Sequence, residues 1–86
     1  MKYILIAFKS RNSLYSFANK LKNYNVHTQV INTPSGISRS CSLSIRTGLE
    51  NSNIVRDVLS LSHYNDLIGV FAVEIWGFNQ RIKRLY

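Results

Sequence analysis

The chain has 86 residues, enough for one hydrophobic core and too few for two. With 45% hydrophobic and 17% charged residues it is composed as a globular domain, which excludes a disordered tail. Eleven Lys and Arg against four Asp and Glu give a net charge of +7, a balance that suits an acidic partner such as nucleic acid, an anionic cofactor or an acidic protein surface.

Residues 2–8 are nearly all apolar, as in a central strand covered on both faces. The run falls far short of the roughly 18–20 residues that cross a bilayer. No small-residue cleavage site follows, so it reads as a first strand and not a signal peptide, in a soluble, cytoplasmic protein without a membrane partner. Ser10 then offers a hydroxyl N-cap, and Leu14, Phe17, Ala18 and Leu21 follow at helical spacing, predicting a helix over about 11–24. Asn23-Tyr24-Asn25 stops it. Residues 26–33 read as a second strand, ended by Pro34, which cannot continue a ladder.

Residues 34–41 form a polar connection that holds the sole proline and the sole cysteine. Leu43, Ile45 and Thr47 alternate with Ser44 and Arg46 as a short third strand. Asn51 or Ser52 can cap a second helix with Ile54, Val55, Val58, Leu59 and Leu61 facing inward. Residues 67–76 read as a fourth strand, and 77–86 as a basic tail that contains Phe78, Ile82, Leu85 and Tyr86.

The order predicts an α+β domain over 1–76, ferredoxin-like βαββαβ, with a four-stranded antiparallel sheet and two helices on one face. In 2–8 and 67–76 both alternating faces are apolar, so the sheet side opposite the helices needs a cover. The tail can fold across it, or the domain can form a homodimer there. This topology gathers Lys9, Ser10, Arg11, the 34–41 connection, His63 and Tyr64 at one end of the sheet.

A single thiol, Cys41, forms no internal disulfide, which fits a reducing compartment. With His27 and His63 as the other soft ligands, a closed metal site within one chain is not expected. The four glycines stand alone, so there is no phosphate loop, and no cofactor is implied. A thiolate is the reactive form, and lowering a thiol pKa from about 8.5 to about 7 takes roughly 2 kcal/mol of preference for the anion. The first helix's N–H groups can supply up to about 1 kcal/mol. Arg11, Lys9, Arg39 and hydrogen bonds from Ser38 and Ser40 are placed to supply the rest. His63 is the candidate proton partner. A free cysteine is also a common core filler, and the polar residues around Cys41 are what argue for a reactive one. His27 reads as a solvent-facing strand residue. The third strand, residues 42–46, has no aromatic side chain, which argues against an RNA-recognition sheet.

The segment Pro34-Ser35-Gly36-Ile37-Ser38-Arg39-Ser40-Cys41-Ser42-Leu43-Ser44-Ile45-Arg46 resembles the signature of the selenium/sulfur carrier-like protein family: a proline, an Ile-Ser-x-Ser-Cys core, and an apolar alternation ending in a basic residue. The resemblance extends over most of 2–75. It departs at Ser42, where the family commonly has glycine, and the basic tail looks additional to the family core. The resemblance implies a carrier rather than a multiple-turnover enzyme, with Cys41 holding a sulfur or selenium atom between a donor protein, such as a cysteine desulfurase, and an acceptor enzyme. The alternative from the residues themselves is a dimerising interaction or regulatory module that uses the open sheet face. Nucleic-acid binding through the basic tail is a weaker third reading.

Overall fold

The computed structural model describes residues 1–34, 37, 43–62 and 64–85. Its elements run β1 (Lys2–Phe8), α1 (Arg11–Asn23), β2 (Gln29–Asn32), β3 (Leu43–Gly48), a 3-10 turn (Leu49–Asn51), α2 (Ser52–Leu61), β4 (Leu67–Trp76) and β5 (Asn79–Arg84). One sheet holds all the strands in the order β2-β3-β1-β4-β5, and every neighbouring pair is antiparallel.

The expected four-stranded sheet is corrected to five strands. The basic tail does not fold across the sheet but doubles back along it. Gly77 and Phe78 make a two-residue turn in which Gly77 takes φ +59°, the glycine-favouring value at the first central position of a hairpin turn. Residues 79–84 then satisfy their backbone groups on the edge that β4 would otherwise leave open, in register from Trp76↔Asn79 to Phe71↔Arg84.

Alternation along β1 divides the core. Ile4, Ile6 and Phe8 point to one side, where they meet Leu14, Phe17 and Leu21 of α1, Val55 and Val58 of α2, and Ile45 and Val70 of the sheet. Both helices therefore cover the same face. Leu61 was expected to face inward with its neighbours on α2, but it is 77% exposed. It lies three residues beyond Val58 at the helix's last position, where the buried stripe has run out.

Helix α1 ends with its chemistry written locally. Asn25 takes φ +62°, its N–H donates to the Lys22 carbonyl, and the Val26 N–H donates to that of Leu21. This is the left-handed stop with paired 5→2 and 6→1 bonds, and Val26 accompanies it by packing into the same core as Leu21. Those bonds hold the chain close to the helix end, so β2 begins at Gln29, later than the expected Val26. His27 is exposed, as expected, but precedes the strand, and its carbonyl accepts from the Thr47 hydroxyl at 2.8 Å.

On the other sheet side Tyr3, Leu5, Ala7, Phe71 and Val73 form a second cluster with Ile31, Ile37, Ile68, Ile75 and Ile82 packed against it. Leu5 and Ala7 are fully buried within the single chain. The arginines complete this cover: the Arg46 guanidinium lies 4.3 Å from the Tyr3 ring centre, and that of Arg84 lies 6.0 Å from the Phe71 ring centre. Strand β5 contributes Ile82 and Arg84 to this face from the sheet edge.

Candidate functional site

One end of the sheet is defined by Phe8, which stands opposite Leu43 on one side and Leu67 on the other, while Leu43 also pairs with Asn32. The connection from β2 to β3 therefore leaves and re-enters the sheet where β1 ends and α1 begins. Two anchors hold its described residues. The Thr33 and Ser44 hydroxyls lie 2.6 Å apart, with Ser44 fully buried. The Ile37 N–H donates to the Pro34 carbonyl at 3.0 Å, and the Ile37 side chain packs on the cluster of the helix-free face.

Cys41, Ser38, Arg39, Ser40 and His63 lie outside the described residues. Arg11 is described: it opens α1 at this end of the sheet and is exposed. The residues on either side of position 63 are tied to α1. Lys20 donates from Nζ to the Ser62 hydroxyl at 2.8 Å. The Tyr64 ring stands edge-on to Phe8 and Phe17, with centres 5.3 and 5.8 Å away, and the Lys20 ammonium lies 5.0 Å above it.

The start of α1 differs from the expectation. Ser10 occupies the N-cap position with extended backbone, but its hydroxyl makes no capping bond. Its N–H donates instead to Asp66 Oδ2 at 3.0 Å, and the Lys9 N–H donates to the Asp66 carbonyl at 2.9 Å. A carboxylate thus already faces the positive end of the helix. Asp66 meets the chain at the N-cap and one residue before it, beside the first turn of α1. Sequence reasoning missed Asp66 because its partner is 56 positions away and a lone aspartate in a turn carries no local signal. Asn51, expected as a cap of α2, sits at that position but turns its side-chain amide back to the Thr47 hydroxyl at 2.9 Å.

Among the described residues no group of three His, Cys, Asp or Glu could hold a metal ion, and no helix is long and apolar enough to cross a membrane. A cleft of about 430 Å³ between the end of α1 and the approach to β2, lined by Lys22, Asn25, His27 and Thr28, lies at the opposite end of the sheet from Ser10 and Pro34.

An antiparallel sheet with both helices on one face, whose β2–β3 connection includes the sole cysteine in sequence, defines a small α+β protein. The chain belongs to the family described as "putative Se/S carrier protein-like", whose model matches residues 2–65. The match runs from β1 through α2 and stops before β4 and β5. Comparison with curated proteins and with solved structures found no match.

Proposed function

We propose that this protein is a carrier that holds one sulfur or selenium atom on Cys41 and passes it between partner proteins. Family membership over 2–65, the stretch that includes Cys41, is the observation that carries this reading. The thiolate attacks the terminal atom of a donor persulfide, forming a new S–S bond to Cys41 while the donor's own S–S bond breaks and its thiolate leaves. An acceptor thiolate repeats the exchange on the loaded atom and returns Cys41 to its starting state. No oxidant, reductant or metal enters, and no cofactor is needed.

Ser38 and Ser40 serve as hydrogen-bond donors to the anion, Arg39 and Arg11 supply positive charge, and His63 takes or returns the proton of the resting thiol. A reducing, cytoplasmic compartment keeps the thiol free for this work. The donor is a persulfide-bearing protein of the cysteine desulfurase kind, and the acceptor is an enzyme that consumes the atom. The test is to incubate the protein with a persulfide donor and weigh it intact. Wild type should gain one sulfur atom and Cys41→Ala none; no adduct on wild type, or equal loading of the variant, rejects the reading.

A further inference from the structure

The β4–β5 hairpin lies beyond the family match and has surface chemistry of its own. Its turn presents two aromatic rings: Trp76 is 45% exposed, and Phe78 is fully exposed with no packing partner among the described residues. Beside them, on the sheet side that carries the helices, a groove of about 290 Å³ is lined by Lys2, Leu49, Ala72, Glu74, Arg81 and Lys83. Three cations stand there against one carboxylate. Glu74 offsets one of those charges, and its pair with Lys2 is long, at 4.0 Å, and exposed, so it holds Lys2 only weakly. The Arg81 guanidinium lies 5.7 Å from the Trp76 ring centre, which puts a cation beside a ring with an open face.

We propose that this groove and turn bind single-stranded nucleic acid, with Lys2, Arg81 and Lys83 on phosphates and with Trp76 and Phe78 stacking on bases. An acidic peptide would use the cations and leave both rings idle. A membrane surface would want a broader apolar face than two side chains at a turn tip. Exposed rings beside a cationic track are the combination that unpaired bases and their phosphates require. The expectation against an RNA-recognition sheet rests on the lack of paired aromatic platforms on strands and on an aromatic-free third strand; this surface is instead the β4–β5 turn and the groove beside it, across β1 from that strand. The proposal stands apart from the carrier reading and needs no residue of it.

Trp76 is the chain's sole tryptophan, so intrinsic fluorescence reports directly on this surface. The experiment titrates the full chain with oligouridylate and oligothymidylate of about ten nucleotides, following Trp quenching and the anisotropy of labelled strands. Saturable binding with quenching is expected, and the log–log salt slope should be about −2 for three phosphates at about −0.7 each. Phe78→Ala, which removes a ring that holds up no other part of the fold, should weaken binding about fivefold or more. Arg81→Glu should weaken it further, while Lys22→Glu, on the helix that packs over β1 and β3, should change it less than either. Equal binding of both oligomers supports stacking and phosphate contacts alone, and a preference for the RNA adds a contact to the 2′-hydroxyl. Absence of saturable binding at low salt overturns the proposal. So does binding that Phe78→Ala leaves unchanged, or a stronger response to polyglutamate or to anionic vesicles, which would reassign the surface to an acidic protein or a lipid.

Discussion

The Asp66 carboxylate accepts the Ser10 N–H at 3.0 Å, joining the turn before β4 to the junction of β1 and α1. A hydrogen bond to a charged acceptor contributes about 1.5–3 kcal/mol, the lower end applying to a partly exposed pair. Asp66→Ala should therefore lower the urea midpoint by the equivalent of about 1–2 kcal/mol. Asp57→Ala, on the exposed side of α2, should cost less than about 0.5 kcal/mol.

The Thr33–Ser44 contact is one of the two described anchors of the β2–β3 connection. Ser44→Ala removes one partner in a fully buried position and leaves the Thr33 hydroxyl without it. The expected loss is about 1–2 kcal/mol, read from chemical denaturation. Ser44→Val, which fills the space with an apolar group but also strands Thr33, should be no more stable than the alanine variant.

Burial of Leu5 within one chain bears on the helix-free face. Leu5→Ala should destabilise by about 2–5 kcal/mol, the range for a core leucine. If the single chain provides the cover, the unfolding midpoint of wild type will stay constant over about a hundredfold range of protein concentration. A midpoint that rises with concentration would show that a second copy supplies part of it.

Two glycines make separate demands. Gly77→Ala forces an L residue into φ +59° and should cost about 1 kcal/mol through backbone strain alone, since nothing lies within 4 Å of the added carbon. At Gly69 the added carbon would meet Phe71 Cζ at 3.0 Å, beside the bulge where β4's register against β1 shifts. Gly69→Ala should displace the Phe71 ring, seen as a chemical-shift change at Phe71 and its neighbour Leu5. Gly77→Ala should leave those signals in place.

Much of this fold was legible because local pattern and tertiary placement agree. Leu14, Phe17 and Leu21 spell out α1's buried face, and the apolar run 2–8 marks a strand covered on both sides. What escaped had no periodic signal. Strand β5 has one apolar residue, Ile82, among polar and charged ones, the composition of a guarded edge, and that pattern reads equally as a tail. The β2 start was misplaced because Val26 looks like a strand residue while it closes a helix stop. Ser10 looked like a cap by type, and only the three-dimensional position of Asp66 redirects its N–H. At the site, the sheet end that gathers Ser10, Arg11, Pro34 and Tyr64 followed from topology, since strand directions fix which connections share an end.

A carrier must give as well as take, so the decisive measurement follows both halves on one sample. Protein loaded from a persulfide donor is freed of donor, offered a small acceptor thiol, and weighed intact over time. The account predicts a gain of one chalcogen atom, mapped to Cys41, that vanishes as acceptor persulfide appears in equal amount and restores a free thiol. A chain that never gains the atom, or gains one that the acceptor cannot remove, contradicts it.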